Sequence, residues 1–309
     1  MLNKNNIVIC SKTVSSTSIL VEEFQKYFYN LKFNRKAKLS GDSLVSFIGE
    51  AEGAVVALEQ IDDTILDRCP NLKFIAKYGV GLDNIDSDSC RRHGVKVGWT
   101  GGINRLSVAE MTVGFMLALS RNLFKTSLHL KQGVWNKNGG LQLSGRTIGI
   151  IGVGCIGKEV IRLLKPFDCH IIVNDIINQD DYYKTQGVQE MSKEEIFKQA
   201  DIISLHLPIT SETKHLINKN SLSLIRPDTY IINTARGSLI DYEDLKDSLR
   251  NKKIAGVAMD VYNQEPPTDK ELLSFDNVIC TPHIGGNSEE AVIAMGTSAL
   301  EHLKNYFLA

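Results

Sequence analysis

Residues 148–157 read Ile-Gly-Ile-Ile-Gly-Val-Gly-Cys-Ile-Gly and residues 171–175 read Ile-Ile-Val-Asn-Asp; with the segment between them, they decide the fold. An apolar strand, three glycines, a helix-length segment and a second apolar strand follow one another in a unit of βαβ size. Gly152 permits a tight turn, Gly154 lets the backbone approach a pyrophosphate, and Gly157 lets helix and strand pack closely. The helix N-terminus presents N–H groups and partial positive charge to phosphates. The stretch therefore predicts a dinucleotide-binding unit.

The acid that ends the second strand, Asp175, predicts which dinucleotide is bound. A carboxylate at this place can accept hydrogen bonds from both hydroxyls of an adenosine ribose. It would repel a 2'-phosphate, and Ile176, Ile177 and Asn178 supply no cation to compensate. We therefore expect NAD rather than NADP.

Composition limits the remaining function classes. The chain has 309 residues, enough for about two domains, and 35 Lys+Arg against 36 Asp+Glu, so its charge favours neither nucleic acid nor an anionic membrane. Its six cysteines include no CxxC pair, which predicts buried free thiols, and no metal site is expected. No signal peptide or apolar run of about 20 residues is evident, so we expect a cytoplasmic protein.

Short apolar runs alternate with helix-period segments along the chain, which predicts parallel α/β architecture. Strands are expected at residues 7–10, 54–57, 74–77 and 96–98, and, after the glycine motif, at 202–205, 230–233, 255–259 and 278–281. Residues 107–121 form a long segment that is apolar on nearly all sides, which is typical of a buried helix. A last helix is expected over 288–306, and we expect it to complete the N-terminal domain.

Polar groups of complementary type follow the late strands, where ligands sit in open α/β sheets. Arg236 follows residues 230–233, Asp260 ends residues 255–259 with Glu265 just after it, and His283 follows residues 278–281. An imidazole has the pKa for proton transfer near neutral pH, and a neighbouring carboxylate would fix its tautomer and raise that pKa. A guanidinium would bind a substrate carboxylate and its C2 oxygen, and Asp260 would accept a hydrogen bond from a carboxamide. This set predicts hydride exchange between NAD and a small anionic 2-hydroxy or 2-oxo acid.

Each of these residues also has an ordinary structural interpretation. A lone loop histidine is more often structural, and an isolated arginine is more often a surface ion-pair partner. Glu265 can be a solvated loop carboxylate, and Asp260 can cap a turn. Convergence of all four on one sheet edge weighs against these alternatives together.

Several separated motifs resemble the D-isomer-specific 2-hydroxyacid dehydrogenase family. They are residues 143–157, Asn233-Thr-Ala-Arg-Gly237, Asp260-Val-Tyr-Asn-Gln-Glu-Pro-Pro267 and Pro282-His-Ile-Gly-Gly286. Upstream, Gly79-Val-Gly-Leu-Asp-Asn-Ile-Asp86 and Ser107-Val-Ala-Glu110 look like the phosphoglycerate dehydrogenase branch.

The resemblance implies two Rossmann-like doubly wound domains with the active site in the cleft between them. A flavodoxin-like substrate domain would span residues 1–102 and 284–309, and an inserted NAD-binding domain would span 103–283. A linking and dimerisation helix is expected over 106–121, within a homodimer.

The resemblance also implies roles for individual residues. Arg236, Glu265 and His283 would form the catalytic trio, with Asp260 at the nicotinamide. The backbone of Val80 and Gly81 would hold the substrate carboxylate. The remaining positions that it implies are Gly152, Gly154, Cys155, Ile156, Gly157, Asp175, His206, Pro208, Thr213, Thr234, Ala235, Gly285 and Gly286 for NAD, which Arg236, Asp260 and His283 would also contact, and Asn104 for the acid. Lys77 and Arg105, which depart from the family pattern, are further candidate positions for the acid.

Two departures from the family pattern affect the choice of substrate. The loop at residues 99–105 reads Trp-Thr-Gly-Gly-Ile-Asn-Arg, where the family usually carries a proline and a small residue. Gly101 loosens the backbone there, and Arg105 adds a cation. Lys77 stands where phosphoglycerate enzymes tend to carry arginine, and a lysine attracts phosphate without binding it in bidentate fashion. Either cation can alternatively be a solvated surface residue.

The sequence leaves three functions open within this family. The first is a dehydrogenase of a small D-2-hydroxy acid, with 3-phosphoglycerate as one candidate substrate. The second is a hydroxypyruvate or glyoxylate reductase, and the third is a non-enzymatic, NAD-sensing corepressor-like scaffold. The formate dehydrogenase branch is disfavoured, because it would carry glutamine where Glu265 stands.

Overall fold

A computed structural model describes Asn3–Lys36 and Leu39–Ala309, and the chain forms two compact units. The first contains the described residues up to Asn104 together with Gly286–Ala309, and the second is Arg105–Gly285. The chain thus passes between units at 104/105 and 285/286, against the expected 102/103 and 283/284.

The described residues form twelve strands, all paired in parallel. Their bounds are β1 Asn3–Ile9, β2 Phe28–Phe33, β3 Gly53–Val56, β4 Phe74–Lys77, β5 Lys96–Gly98, β6 Thr147–Ile151, β7 His170–Asn174, β8 Gln189–Glu190, β9 Ile202–Leu205, β10 Tyr230–Asn233, β11 Gly256–Met259 and β12 Val278–Cys280.

The same residues form thirteen α-helices and three short 3-10 helices, the latter at Lys165–Phe167, Gly237–Leu239 and Leu272–Ser274. The α-helices are α1 Lys12–Ser16, α2 Ser18–Gln25, α3 Gly41–Ile48, α4 Asp63–Leu66, α5 Ser87–Arg92, α6 Arg105–Ser120, α7 Leu123–Lys131, α8 Cys155–Leu164, α9 Asp180–Gln186, α10 Lys193–Gln199, α11 Lys219–Leu224, α12 Tyr242–Arg250 and α13 Glu289–Phe307.

The first unit is a five-stranded sheet in the order β2-β1-β3-β4-β5, which is the flavodoxin-like arrangement. Successive residues of a strand point to opposite faces, so both faces of a buried parallel strand must be apolar. Ile7 and Ile9 of β1 accordingly pack in one core with α2 and α13, whereas Val8 packs in a second core with α3. The C-terminal helix α13 therefore completes this unit.

The second unit is a seven-stranded sheet in the order β12-β11-β10-β9-β6-β7-β8. The chain leaves β6 in one direction, through β7 and β8, and returns to β9 on the other side of β6. Ligands of open parallel sheets bind at such a reversal, beyond the carboxyl ends of the strands. Ile148 and Ile150 of β6 pack in the core that contains α6 and α8, whereas Ile151 packs in the core of the opposite face.

The prediction of parallel α/β architecture is confirmed, and two strands were absent from it. β2 is largely exposed and carries Asn30 and Lys32, and β8 has only two residues, both exposed. Neither segment contains the apolar run on which the prediction relied. Within the described ranges, no helix is both long and apolar enough to cross a bilayer.

The prediction that all six cysteines are buried thiols needs correction. All are free, and Cys10, Cys69 and Cys90 are buried, but Cys155 is exposed. Cys155 is the first residue of α8, on the glycine loop, where a side chain faces no core.

Candidate active site

The glycine loop has two crowded positions and one open position. An ideal Cβ at Gly152, where φ is +98°, would lie 2.4 Å from the carbonyl oxygen of His206, and one at Gly157 would lie 2.2 Å from that of Gly152. A Cβ at Gly154 would meet no heavy atom within 4 Å. Gly154 also N-caps α8 without a side-chain hydrogen bond. The close packing of β6 and α8 therefore requires glycine at positions 152 and 157. Gly154 leaves open space at the N-terminus of α8, as a bound pyrophosphate requires.

The side chain of Asp175 connects the end of β7 to this loop. Its Oδ2 accepts a hydrogen bond from the backbone N–H of Val153 at 2.6 Å, and its Oδ1 accepts one from Ile177 at 3.0 Å. A carboxylate oxygen can accept more than one hydrogen bond, so these contacts fix the carboxylate and leave capacity for ribose hydroxyls. Ile176 and Ile177 are exposed beside it and bring no positive charge.

The loop after β9 adds a neutral imidazole next to the glycines. The His206 Nε2 atom lies 2.9 Å from the Ser204 hydroxyl. Burial lowers the pKa of His206 to about 4, because a charged ring would lose its hydration. Farther along, the Thr213 hydroxyl donates to the Pro208 carbonyl at 2.7 Å and holds the loop in shape.

His283 and Glu265 form a direct pair on loops that follow β12 and β11. Nδ1 of His283 lies 2.9 and 2.8 Å from the two Glu265 oxygens, and Glu265 Oε1 also accepts the Tyr262 N–H at 3.1 Å. The carboxylate raises the pKa of His283, and burial and the Arg236 charge only partly oppose this. The imidazole is 42% exposed, so the paired ring is still accessible.

Asp260 is 1% exposed and organises the loop that carries His283. Its Oδ1 accepts from the Thr281 hydroxyl at 2.5 Å and from the Ile284 N–H at 2.8 Å, and its Oδ2 accepts from the Gly285 N–H at 2.7 Å. The backbone of His283 itself adopts a positive φ of 53°. The sequence predicted that Asp260 contacts the carboxamide. It did not predict that Asp260 anchors the His283 loop or that Thr281 donates to Asp260, because Asp260 and these partners are more than twenty residues apart.

The loop that carries Arg236 closely approaches the loop that carries Glu265. A Cβ at Gly237 would lie 2.2 Å from the backbone carbon of Tyr262, so only glycine lets the loop after β10 meet the loop that carries Glu265. Asn233 fixes the turn, since its side chain donates to the Arg236 carbonyl at 2.8 Å and accepts from the Ala235 N–H at 3.1 Å. Thr234 is buried beside it, with its hydroxyl 3.1 Å from that of Thr112.

In the first unit, Lys77 is 4% exposed, so the alternative that it is a solvated surface residue is wrong. Its ammonium donates to the Ala57 carbonyl and, at 2.6 Å, to the Asn84 side-chain oxygen. Asn84 also donates to the carbonyls of Ala57, at 3.2 Å, and Glu59, at 2.6 Å. Lys77 thus ties β4 to the loop after β3. Asn84 lies in the quoted 79–86 motif, but its sequence alone does not reveal this link.

The backbone of the predicted carboxylate loop is available to a ligand. Over the described ranges, the N–H groups of Val80 and Gly81 donate no hydrogen bond, and the Val80 carbonyl accepts one from the Trp99 indole at 2.8 Å. Trp99 was not among the predicted site residues. Asn104 lies close to Gly286, since a Cβ at Gly286 would be 2.4 Å from the Asn104 amide nitrogen.

The structure divides the predicted residues between the units. Lys77, Val80, Gly81, Asn104 and Gly286 belong to the first unit, whereas Arg105 begins α6 in the second. The Nε of Arg105 lies 3.9 Å from Glu159 of α8, a spacing typical of a surface ion pair. Within the described parts of the chain, no cluster of three or more His, Cys, Asp or Glu residues is placed to hold a metal.

Comparison with known proteins identifies the family. Residues 113–285 match the family model of the D-isomer specific 2-hydroxyacid dehydrogenase, NAD binding domain. The chain is 38% identical to a hydroxypyruvate reductase of Thermotoga maritima, over 86% of this chain and 88% of that protein. It is 37% identical to a D-3-phosphoglycerate dehydrogenase of Methanocaldococcus jannaschii over 86% of this chain, which corresponds to only 52% of that longer protein.

A solved structure gives the same result for the fold. The D-lactate dehydrogenase of Aquifex aeolicus, solved with NAD and lactic acid, superimposes with a TM-score of 0.87 at 27% identity and covers 98% of this chain and 95% of its own. With the family model and the relatives above, this shows that the chain belongs to the D-isomer-specific 2-hydroxyacid dehydrogenases, NAD-dependent oxidoreductases that act on CH–OH groups.

Proposed function

We propose that this protein transfers hydride between NAD and C2 of a small 2-oxo or D-2-hydroxy acid, with His283 as the proton donor or acceptor. The observation that carries the proposal is the His283–Glu265 pair, because a carboxylate on Nδ1 fixes the tautomer and leaves Nε2 to exchange the substrate proton. The charge of Arg236 acts on the same imidazole. In this arrangement Arg236 stabilises the negative charge that develops on the C2 oxygen.

The residues of the second unit fit NAD. The pyrophosphate would lie in the open space over Gly154, at the start of α8, where no side chain caps the helix. The carboxylate of Asp175, which is fixed by Val153, would hold the ribose. When bound, NAD supplies the hydride acceptor, and NADH the donor, at C4 of the nicotinamide. Asp260 keeps the His283 loop in place, and the loop of His206, Pro208 and Thr213 would pack against the adenosine.

We propose an unphosphorylated acid of the hydroxypyruvate or glyoxylate type as the preferred substrate. The backbone N–H groups of Val80 and Gly81 would hold its carboxylate, and the side chain of Asn104 would line the substrate-binding site. Lys77 was the residue expected to attract a phosphate, but its ammonium is buried and donates to Ala57 and Asn84. A phosphate would have to displace these protein acceptors, which disfavours 3-phosphoglycerate.

A steady-state screen tests this proposal. NADH oxidation is measured with glyoxylate, hydroxypyruvate, pyruvate and 3-phosphohydroxypyruvate, and each reverse reaction is measured with NAD. We expect the highest kcat/KM for an unphosphorylated acid, at least tenfold above that for the phosphorylated one. A higher kcat/KM for 3-phosphohydroxypyruvate contradicts the substrate assignment, and no turnover of any of these acids contradicts the proposed function.

We also propose a homodimer, formed through α7 and the segment after it. This part of the second unit exposes a run of large apolar side chains whose burial would be favourable: Leu123, Phe124, Leu128, Leu130, Val134, Trp135 and Leu141. The mostly apolar helix α6 leads directly into it, and only part of α6 is buried. A second copy of the chain is the partner that the family resemblance favours.

Light scattering tests the dimer. Leu130→Glu combined with Trp135→Glu is expected to halve the mass in solution, whereas Leu58→Glu, at an equally exposed apolar residue of the first unit, leaves it unchanged. A wild-type mass of one chain contradicts the proposal. A cytoplasmic location, which free thiols favour, belongs to the same proposal.

A further inference from the structure

The indole of Trp99 connects two loops of the first unit. Trp99 follows β5, and Val80 lies in the loop after β4, which pairs with β5 in parallel, so both loops leave the same edge of the sheet. The Trp99 Nε1–H donates to the Val80 carbonyl at 2.8 Å. In the described part of the chain, this is the one hydrogen bond made by residues 79–81. The loop therefore depends on Trp99 for its polar attachment.

The surroundings of Trp99 hold the ring in this place. An ideal Cβ at Gly101 would lie 3.0 Å from the Cη2 atom of the ring, so glycine leaves the room that the indole uses. The next residue, Thr100, is anchored to α13, with its hydroxyl 2.9 Å from His302 Nε2 and 2.8 Å from the Ser298 hydroxyl. The departure at Gly101 thus accommodates the indole, in addition to loosening the backbone.

The loop at residues 79–81 begins with a glycine in a backbone conformation that other residues rarely adopt. The φ angle of Gly79 is 115°, which glycine reaches at little cost because it has no Cβ atom. Trp99 remains 41% exposed, so its ring is also within reach of solvent and of a small solute. A hydrogen bond to the carbonyl of Val80 fixes the peptide plane on which the Gly81 N–H lies.

From this arrangement we infer that Trp99 is a positioning residue, which holds the Val80–Gly81 backbone so that its N–H groups bind the substrate carboxylate. The inference rests on the proposed function, which assigns the carboxylate to this loop. Preorganisation of a binding loop improves affinity, because the cost of ordering it is met during folding. Loss of the indole N–H should therefore weaken binding of the acid and leave binding of NADH unchanged.

Substitutions separate this task from a purely structural one. Trp99→Phe keeps an aromatic ring and removes the N–H, and Tyr29→Phe, which removes a polar group from an exposed aromatic ring of β2, is the control. We expect Trp99→Phe to raise KM for the 2-oxo acid about five- to tenfold, with kcat and the Kd for NADH within about twofold of wild type. Gly101→Ala, which crowds the ring, should raise KM in the same direction. An unchanged KM in Trp99→Phe, or an equal loss of NADH affinity, overturns the inference.

Oxalate provides a readout that does not require turnover. In NADH-loaded Trp135→Phe protein, Trp99 is the remaining tryptophan, and its emission should change as oxalate is added. Calorimetry should give a Kd for oxalate about five- to tenfold weaker in Trp99→Phe than in wild type. Equal Kd values overturn the inference even where a substrate turns over, whereas absence of turnover in wild type, with oxalate binding intact and dependent on Trp99, contradicts only the proposed function.

Discussion

The Nδ1 atom of His283 lies within 2.9 Å of both carboxylate oxygens of Glu265, and the Asp260 carboxylate accepts a hydrogen bond from the next residue of the His283 loop, Ile284. This contact raises the pKa of His283. A raised pKa keeps the imidazole protonated at higher pH, which is the state needed to reduce a 2-oxo acid. The pair therefore supports the proposed role of His283 as the acid in reduction near neutral pH.

Glu265→Gln should shift the pH profile of reduction. Because the carboxylate is the main cause of the raised pKa, the variant should lose its protonated imidazole at lower pH, so the alkaline fall in kcat/KM moves to lower pH. At neutral pH we expect kcat/KM to drop by roughly ten- to a hundredfold. Glu301→Gln, at an exposed residue of α13, is the control. A profile of unchanged shape and position would show that the pair does not set the pKa.

The two glycines Gly154 and Gly157 should respond differently to the same substitution. Gly154→Ala adds a methyl group to open space, so the melting temperature should stay near that of wild type while the Kd for NAD rises at least tenfold. Gly157→Ala places a methyl group against the Gly152 carbonyl, and we expect about 1–3 kcal/mol of destabilisation. Differential scanning calorimetry and NAD titration check both. An unchanged Kd for NAD in Gly154→Ala would falsify the proposed pyrophosphate site.

Asp175→Asn should relax the choice of cofactor. An asparagine can still accept from the Val153 N–H, so the glycine loop is retained while the negative charge that repels a 2'-phosphate is lost. We expect the ratio of kcat/KM for NADH over NADPH to fall about tenfold or more. Asp181→Asn, an exposed acid of α9, serves as the control. If the NADH/NADPH ratio of kcat/KM is the same in both variants, Asp175 does not determine which cofactor is bound.

His206 should make the protein less stable in mild acid. Its pKa is about 4 in the folded chain and 6.5 in its ordinary state, so between these values the unfolded chain takes up the proton first, and stability falls as the pH is lowered. From pH 7 to pH 5 this amounts to about 1–2 kcal/mol of unfolding free energy. Urea unfolding of wild type and His206→Gln at both pH values measures it. Equal losses in the two proteins would rule out a depressed pKa.

Local pattern was sufficient for most of the fold. The glycine spacing, the apolar run of β6 and the terminal acid Asp175 all lie close together in sequence, and their structure follows from strand and helix geometry. The return of α13 to the first unit was also predictable, because the dinucleotide unit begins in mid-chain. The edge strands β2 and β8 were not, since their polar, exposed residues carry no signal of burial.

Contacts between residues distant in sequence were beyond prediction. Lys77 is buried because Ala57 and Asn84 supply acceptors for its ammonium, and the sequence does not reveal these partners. The hydrogen-bond partner of the Trp99 indole is likewise a carbonyl nineteen positions away. For Asp260, composition and position predicted a polar contact, but only the folded loop shows that its oxygens bind the backbone around His283. Residue type thus indicated which chemistry to expect, and tertiary structure decided which partner each group has.

A single-turnover measurement tests whether His283 exchanges the substrate proton. NADH-loaded wild type and His283→Ala are mixed with a 2-oxo acid that the wild type reduces, and the loss of nicotinamide absorbance is followed. His170→Ala, at the start of β7, is the control. We predict a rate at least a hundredfold lower in His283→Ala, with the Kd for NADH unchanged and the control at wild-type rate. A rate in His283→Ala within a few-fold of wild type would show that His283 does not exchange the substrate proton.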